Sequence, residues 1–505
     1  MSTDRTIRAL IASGHDGAVA IAAHEAKPLT YAALRGLIDR ARAELNGLGI
    51  GRGDRVAIVL PNGPEMATAF LCLASAATSA PLNPAYRQED FEFYMEDIKA
   101  KALIVEAGSA SPALRAADKL KVNVITLTPD RQAGAGAFRL TGQATGAAAR
   151  PGPAETQDIA LILHTSGTTS RPKIVPLAQA NIWTSARNIA TALELSERDR
   201  GLIVMPLFHI HGLMAGLSAP LSRGGSVFCT QGFNALRFFA EMDEARPTWY
   251  TAVPTMHQAI LTRAARNKEI IARNPLRFVR SSSSSMPPTV IKELETVFNC
   301  PLVEAYGMTE ATHQMASNPL KGQRKPGTVG LAAGPEVAIM DEAGRLLQRG
   351  ETGEVVIRGP SVTSGYEANP KANAAAFTNG WFRTGDQGVI DADGYLSLTG
   401  RLKEIINRGG EKISPREIDE ALMNHPAVLQ AVAFALPHPM LGEEVGAAVV
   451  LREGLSATEQ ELGLFLAERL AAFKTPRKIL FLAEIPKGAT GKLQRIGLAQ
   501  KLGLG

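Results

Sequence analysis

Residues 165–173 (TSGTTSRPK) have the composition of a site that grips a polyphosphate. Hydroxyl groups and exposed backbone N–H groups donate to phosphate oxygens, glycine lets the backbone approach closely, and lysine adds positive charge. The candidate phosphate contacts are Thr165, Ser166, Gly167, Thr168, Thr169 and Lys173. The spacing differs from that of the common P-loop, GxxxxGKS/T. The apolar run at 159–163 (IALIL) predicts a buried strand leading into this loop, and a solvated Ser/Thr loop is the alternative.

Further motifs follow in order along the chain. They are YGMTE at 306–310, TGD at 384–386, GRLKE at 400–404 and PKGATGK at 486–492. Together with the 165–173 segment, they resemble the signatures of the adenylate-forming superfamily, which includes acyl-CoA synthetases, peptide-synthetase adenylation domains and luciferases. The resemblance implies ATP, Mg²⁺ and coenzyme A as cofactor and co-substrates, and a carboxylic acid as the group to be activated.

Activation of a carboxylate by ATP brings two anions together, so the site needs a metal ion and positive charge around the α-phosphate. By the resemblance, Glu310 contacts Mg²⁺, while Thr309 and the backbone near Gly307 hold the α-phosphate. Magnesium usually takes one or two carboxylates together with phosphate oxygens, so one glutamate is enough. The alternative is that Thr309 only caps a helix beginning at Glu310.

The resemblance also assigns the nucleoside contacts. Asp386 accepts hydrogen bonds from the ribose hydroxyls, because an ionised carboxylate is an acceptor only, and Arg401 adds a second ribose contact. The other nucleotide-binding candidates are Ser284, Ser285, Glu304, Ala305, Tyr306, Gly307 and Met308. Ser284 and Ser285 fall where the family places its adenine contacts, within a serine run at 281–285 where the family commonly reads GGAP.

Lys492 is the predicted main catalytic residue of adenylation. It lies in a Gly/Thr-rich segment near the C-terminus, and its ammonium would bridge the substrate carboxylate and the α-phosphate. Lys403 matches the hinge residue about which the small C-terminal domain of the superfamily rotates between its two half-reactions. The alternative for Lys403 is an ordinary charged linker.

The second half-reaction requires a thiol acceptor. Gly409, Gly410 and Glu411 resemble the glycine-rich segment that lines the pantetheine tunnel after domain rotation. Lys474 could meet a CoA phosphate, and a solvated lysine is the equal alternative. No carrier-protein domain is expected within these 505 residues, which favours free CoA over a carrier protein as the acceptor.

The acyl pocket of the superfamily lies beside Glu310 and the segment at 208–212 (FHIHG). His209, Ser283 and His313 would form a small polar pocket there, able to hold a second carboxylate. The runs at 304–319 and 400–415 also resemble oxalate–CoA ligases within the superfamily, so oxalate is the expected acid. The alternatives are another small, medium-chain or aromatic acid with the histidines as gating or packing residues, or a stand-alone adenylation enzyme that loads a carrier protein.

Length and composition limit the classes of protein to which the chain could belong. The chain has 505 residues, 45% of them hydrophobic and 20% charged, as in globular proteins of more than one domain. A net charge of +5 without a dense basic tract predicts no nucleic-acid partner. The three cysteines, Cys72, Cys229 and Cys300, show no metal-ligand spacing and predict reduced core residues. No signal peptide or membrane span is predicted, so cytoplasmic localisation is expected, as a monomer or homodimer.

Apolar strand-like runs alternate with helix-like segments over the first 330 residues or so, which predicts layered α/β structure with parallel sheet. Residues 132–153, rich in Ala, Gly, Thr and Pro, predict a surface connection. A β-rich subdomain is expected to end near residue 400. The predicted domains are 1–400 for the nucleotide and the acid, a hinge at 401–403, and a small mobile α+β domain at 404–505.

Overall fold

The computed structural model of the chain describes residues 4–165, 172–486 and 495–504. Ser166, Gly167, Thr168, Thr169 and Lys492 lie outside these ranges, so their predicted roles stay predictions. Within the described ranges, no helix is long and apolar enough to cross a membrane.

Strands and helices alternate along most of the chain, and strands predominate after residue 281. The strands are β1 (Val19–Ala23), β2 (Leu29–Thr30), β3 (Arg55–Val59), β4 (Thr78–Pro81), β5 (Ala102–Glu106), β6 (Asn123–Pro129), β7 (Phe138–Gly142), β8 (Ile159–His164), β9 (Ile174–Ala178), β10 (Arg200–Ile203), β11 (Ser226–Cys229), β12 (Trp249–Ala252), β13 (Phe278–Ser281), β14 (Leu302–Met308), β15 (His313–Ser317), β16 (Leu331–Ala332), β17 (Glu336–Met340), β18 (Thr352–Arg358), β19 (Phe377–Thr378), β20 (Trp381–Ile390), β21 (Leu396–Arg401), β22 (Ile406–Arg408), β23 (Glu411–Ile413), β24 (Val428–His438), β25 (Gly442–Leu451) and β26 (Lys478–Phe481). The α-helices are α1 (Ile7–Ile11), α2 (Tyr31–Gly47), α3 (Pro64–Ala74), α4 (Gln88–Asp97), α5 (Pro112–Leu120), α6 (Gln179–Ala192), α7 (Ala219–Leu221), α8 (Phe238–Ala245), α9 (Pro254–Ala264), α10 (Lys268–Arg273), α11 (Pro288–Phe298), α12 (Pro370–Ala376), α13 (Pro415–Met423), α14 (Glu459–Ala467) and α15 (Leu498–Lys501). Gly212–Ser218 forms a π-helix, and Thr309–Ala311 and Ala472–Lys474 form single 3₁₀ turns.

Two largely parallel sheets form the large N-terminal part. One has seven strands in the order β7-β6-β5-β3-β4-β8-β9, and the other has nine in the order β16-β15-β14-β13-β12-β10-β11-β1-β2. Helices α3 and α6 contact strands of both sheets. Every residue of α3 from Met66 to Ala74 is buried, which explains why this segment is apolar all round rather than on one face.

Two further sheets follow along the chain. An antiparallel sheet in the order β17-β18-β20-β19, with β21 on β20, forms the expected β-rich subdomain. The last sheet, β23-β22-β25-β24 with β26 on β25, packs with α13 and α14 into a separate apolar cluster. The expected fold class, a large layered α/β part with a β-rich subdomain and a small α+β C-terminal part, is confirmed. The chain changes from the third sheet to the fourth between β21 and β22, which is where the hinge is predicted.

Arg495 ties this C-terminal part together. Its Nε lies 3.0 Å from a carboxylate oxygen of Glu404, and its Nη2 lies 2.7 Å from one of Asp419, which is 7% exposed. Its Nη1 also donates to the carbonyl oxygen of Ala433. Arg495 therefore joins α13 and β24 to the segment that follows the predicted hinge.

Removal of this guanidinium should destabilise the C-terminal part strongly. Arg495→Met would leave the buried carboxylate of Asp419 without its cation, a loss of about 3–5 kcal/mol by analogy with other broken buried pairs. Urea unfolding, with hydrogen exchange of the α13 and β24 peptides, would measure it. The control is Arg469→Met, an arginine with 42% exposure and a surface partner, which should change stability by less than about 0.5 kcal/mol. Equal effects of the two changes would contradict the assignment.

Candidate active site

The predicted phosphate loop is held at both ends by a β-hairpin. Strands β8 and β9 pair antiparallel, with His164 opposite Ile174. Beyond them the Thr165 N–H donates to the carbonyl oxygen of Lys173 at 3.0 Å, and the Lys173 N–H donates to Thr165 Oγ1 at 3.2 Å. The predicted buried strand is present, and it brings the two ends of the nine-residue segment together.

Glu310 lies in a single 3₁₀ turn directly after β14. It is 6% exposed, and its Oε1 accepts a hydrogen bond from the Tyr366 hydroxyl at 2.8 Å. Its carbonyl oxygen accepts from the N–H of Thr363 at 2.7 Å. Thr309 is the first residue of this turn, and Met308 occupies the capping position, so the helix-capping alternative for Thr309 does not describe the structure.

The surroundings of Glu310 suit Mg²⁺ held mainly by a nucleotide. Over the described ranges, no group of three or more His, Cys, Asp or Glu side chains could hold a metal ion by itself. Tyr366 contacts one carboxylate oxygen of Glu310, and the described contacts leave the other for a cation. Magnesium commonly binds through one or two carboxylates, phosphate oxygens and water, so this donor set fits. Bound with ATP, the ion would neutralise charge on the phosphate oxygens.

The predicted ribose contacts meet at one carboxylate. Asp386 lies opposite Arg401 in the β20–β21 pair, and its Oδ1 accepts from Arg401 Nε at 2.9 Å. Its Oδ2 accepts from the Tyr306 hydroxyl, which reaches across from β14. Burial, with the Asp386 charge adding to it, raises the pKa of Tyr306 well above its usual value, so the phenol remains a donor. Three of the predicted nucleotide-binding residues thus form one hydrogen-bonded group.

Backbone geometry positions the other predicted nucleotide contacts. Ser282 Oγ donates to the carbonyl oxygen of Ala305 at 2.9 Å and so ties the serine run, with the exposed Ser284 and half-buried Ser285, to β14. A bulge in β14 lies between Tyr306 and Gly307. A Cβ on Gly307 would lie 1.9 Å from the carbonyl oxygen of His313, so only glycine fits there. The serine run and His313 are therefore both held against β14.

Glu304, at the same strand, is half-buried, and burial raises its pKa to about 8. Arg416 on α13 opposes this shift, and Glu420 on the same helix adds to it. Helix α13 of the C-terminal part therefore lies near enough to Glu304 to influence its charge.

A buried arginine, Arg280 on β13, is the main feature that the sequence analysis missed. It is 0% exposed, and its Nη1 donates to Thr251 Oγ1 at 3.2 Å. Its Nη2 donates to Gln314 Oε1 at 3.1 Å, and its Nε has no hydrogen-bond partner among the described residues. No carboxylate in the described part of the chain offsets its charge, and burial lowers its pKa to about 9. The site therefore contains a desolvated cation that lacks an anion.

Two histidine side chains lie within hydrogen-bonding distance of the Arg280 guanidinium. Arg280 Nη1 lies 3.3 Å from His211 Nε2, and Nη2 lies 3.2 Å from His313 Nε2. The His211 and His313 rings stack, with centroids 4.8 Å apart. Because a guanidinium can only donate, we assign both Nε2 atoms as acceptors, which places a proton on each Nδ1. His211 Nδ1 then donates to Ser283 Oγ at 3.1 Å, and the Ser283 hydroxyl proton remains for another acceptor.

The backbone around this group is strained. Ser283, Thr312 and His313 have φ values of 75°, 54° and 93°, in the left-handed region that favours glycine. Non-glycine residues held in this region cluster at functional sites.

The structure brings together two of the three predicted acid contacts, Ser283 and His313, on either side of His211. His209 packs its ring 4.8 Å from that of Phe208, and the ring stacked on His313 belongs to His211. The π-helix that begins at Gly212 sets which histidine turns inward. A Cβ on Gly212 would lie 2.2 Å from the carbonyl oxygen of Pro206, so the tight entry to this helix requires glycine. An arginine inside an otherwise apolar strand, next to a serine run, was the available sequence signal for Arg280.

The residues expected to serve the second half-reaction lie on the C-terminal part or at its start. Lys403 is exposed in the turn after β21. Gly409 and Gly410 form the exposed turn of the β22–β23 hairpin, with φ values of 58° and 101°, and Glu411 begins β23. Lys474 Nζ donates to both carboxylate oxygens of Glu417, at 2.8 and 2.7 Å. A CoA phosphate at Lys474 would therefore have to replace Glu417.

Comparisons with known proteins agree with these features. The family model described as AMP-binding enzyme matches residues 10–367, and the model described as AMP-binding enzyme C-terminal domain matches residues 417–492. An oxalate–CoA ligase of Arabidopsis thaliana is 47% identical over 94% of this chain and 93% of its own. An oxalate–CoA ligase of Saccharomyces cerevisiae is 43% identical over 89% of this chain and 87% of its own.

Among solved structures, ATP-bound MatB from Rhodopseudomonas palustris superposes with a TM-score of 0.88 at 28% identity, covering 99% of both chains. The resemblance to the adenylate-forming superfamily is thereby confirmed. The chain belongs to the AMP-binding enzyme family.

Proposed function

We propose that this enzyme joins oxalate to coenzyme A through an oxalyl-adenylate, with ATP converted to AMP and pyrophosphate. The enzyme is an AMP-forming acid–thiol ligase. One oxalate carboxylate attacks the α-phosphorus of ATP and pyrophosphate leaves. The CoA sulfur then attacks the activated carbonyl carbon, and AMP leaves with the electron pair of the broken bond.

The observation that carries the choice of acid is the unneutralised charge of Arg280. A buried cation is costly unless an opposite charge accompanies it. Oxalate has two carboxylates, and while one reacts with ATP the other remains an anion. An acid with an apolar tail would leave the guanidinium without an anion, whereas the distal carboxylate of oxalate would supply it.

The neighbouring donors support the same choice. The Ser283 hydroxyl and the Nε–H of Arg280 are donors that a carboxylate can accept from. Both belong to β13 or the serine run that follows it, and β13 is paired with β14, the strand that leads to Glu310. The oxalate–CoA ligases of two organisms, at 47% and 43% identity, add weight to this proposal.

We assign the nucleotide-binding residues the roles that the resemblance predicts. Asp386, Arg401 and Tyr306 would hold the ribose, Glu310 would hold Mg²⁺, and Thr309 would contact the α-phosphate. Lys492 would approach the reacting groups from the C-terminal segment. For the second half-reaction, the segment 401–403 between the third and fourth sheets would act as the hinge. The Gly409–Gly410 turn would border the tunnel for the CoA thiol.

The experiment that tests this function is pyrophosphate release with ATP and Mg²⁺ across oxalate, malonate, acetate, benzoate and octanoate, with and without CoA. Oxalate should give the highest kcat/KM, with turnover dependent on CoA. Preference for octanoate or benzoate would overturn the choice of acid and return the histidines to gating or packing roles. Absence of a CoA thioester among the products would favour a carrier protein as the acceptor instead.

Replacement of His313 tests the acid pocket directly. His313→Ala removes the imidazole that accepts from Arg280 Nη2, so the guanidinium loses a fixed position and the oxalate KM should rise about tenfold, the value of one hydrogen bond to a charged group. The KM for ATP should change by less than about twofold. His209→Ala, measured in parallel, decides whether His209 also contacts the acid, and His438→Ala in the C-terminal part is the control. Unchanged oxalate kinetics in His313→Ala would defeat the pocket assignment.

A further inference from the structure

Residues 361–367 form a short strap between the phosphate hairpin and the turn that carries Glu310. The Thr363 N–H donates to the Glu310 carbonyl oxygen at 2.7 Å, as described above. At the other end of the strap, the Glu367 N–H donates to the carbonyl oxygen of Ile174, in the second strand of the hairpin, at 3.1 Å. The strap is therefore hydrogen-bonded to both phosphate-facing elements.

One side chain of this strap contacts a functional candidate on each element. The Tyr366 hydroxyl donates to Glu310 Oε1 at 2.8 Å, and the ammonium of Lys173 lies 4.3 Å from the centre of the Tyr366 ring. Tyr366 is 8% exposed. Asn373 fixes its backbone, because Asn373 Oδ1 accepts from the Tyr366 N–H at 2.7 Å and Nδ2 donates to the Tyr366 carbonyl oxygen at 2.8 Å.

We propose that Tyr366 is a positioning residue for adenylation, which aims the Glu310 carboxylate at the metal–nucleotide complex through its hydroxyl and holds the Lys173 ammonium on its ring. This inference rests on the proposed function, because it assumes that Glu310 meets Mg²⁺ and that Lys173 meets phosphate. A glutamate has three rotatable side-chain bonds, and a fixed hydrogen bond to one oxygen removes most of that freedom before ATP arrives. A lysine above an aromatic face is held in a similar way.

The Tyr366 hydroxyl is the donor in this arrangement, because a carboxylate oxygen can only accept. Hydrogen bonds from a neutral O–H to a carboxylate are among the stronger ones in proteins.

The test is Tyr366→Phe, which removes the hydroxyl and keeps the ring. Equilibrium binding of ATP, measured by titration calorimetry without acid or CoA, should weaken about tenfold in Mg²⁺ and by less than about twofold in EDTA. Equal weakening in both conditions, or no weakening, would overturn the inference.

Tyr395→Phe is a matched control. The Tyr395 hydroxyl also donates within the fold, to the carbonyl oxygen of Gln323 at 2.6 Å, and its ring also carries a lysine, Lys325, at 4.5 Å. Its contacts, Gln323 and Lys325, are not predicted nucleotide contacts, so the change should leave ATP binding unchanged in both conditions. A Mg²⁺-specific loss in Tyr395→Phe equal to that in Tyr366→Phe would also count against the inference.

Tyr366→Leu separates the ring from the hydroxyl. It removes the cation–π contact as well, so ATP affinity in EDTA should fall about threefold below that of Tyr366→Phe. No difference between the two variants in EDTA would overturn the role of the ring. ATP binding needs no acid, so failure of oxalate as substrate would leave these results standing, whereas wild-type ATP binding that ignores Mg²⁺ would instead refute the metal role in the proposed function.

Discussion

Replacement of Lys492 with alanine should slow adenylation by about 10²-fold or more, the usual effect of losing one strong donor to a transition state. In the attack of a carboxylate on the α-phosphate, negative charge accumulates on the oxygens between the two groups, and an ammonium that bridges them acts mainly in that transition state. Binding of ATP, by contrast, should change by only a fewfold. The effect is therefore expected in kcat of the first half-reaction.

The second half-reaction should survive this change. With preformed acyl-adenylate and CoA supplied, Lys492→Ala should form the thioester within a fewfold of the wild-type rate, because AMP is already the leaving group. Lys487→Ala, in the same PKGATGK segment, is the control and should leave both half-reactions intact. Equal losses in the two half-reactions would show that Lys492 serves the fold or CoA binding rather than adenylation.

The main sheets were predictable because buried parallel strands are short continuous apolar runs. The predicted strand at 159–163 corresponds to β8. The interpretation of 132–153 as a plain connection was wrong in part, since it contains β7. That strand lies at the sheet edge and buries only two of its five residues, so its pattern is weak amid Ala and Gly.

The grouping of Tyr306, Asp386 and Arg401 was likewise predictable, because they lie in short motifs with fixed spacing. The grouping around Ser283 and His313 was predictable only in part. His209 and His211 are two residues apart in one loop, and the entry to the π-helix decides which ring stacks on His313. Arg280 carries no motif. Its importance lies in the lack of a nearby carboxylate among the described residues, which is a property of the folded arrangement rather than of any local pattern.

Arg280→Met should therefore reduce kcat/KM for oxalate by about 10²-fold or more, because the distal carboxylate would lose a charge-assisted partner in a buried site. Activity with acetate, which has no second carboxylate, should change by less than about threefold. The ratio of oxalate to acetate turnover is thus the informative measurement. Since the free protein would lose an unneutralised buried charge, its thermal unfolding midpoint should hold or rise, as when buried ionic groups are replaced by apolar ones of similar size.

Arg277→Met, at a nearby position in the sequence, should have the opposite effects on stability and on the oxalate-to-acetate ratio. Arg277 pairs with Asp199, whose side chain is 1% exposed, so its loss leaves a buried carboxylate without its cation. This variant should lower the unfolding midpoint and keep the oxalate-to-acetate ratio. If Arg280→Met kept that ratio, the guanidinium would be a purely structural group and the argument for a dicarboxylic acid would fail. If Arg280→Met lowered both stability and the ratio, Arg280→Lys would separate the two roles. Lysine retains the charge but lacks the planar set of guanidinium donors, so Arg280→Lys should restore stability with only partial recovery of oxalate turnover.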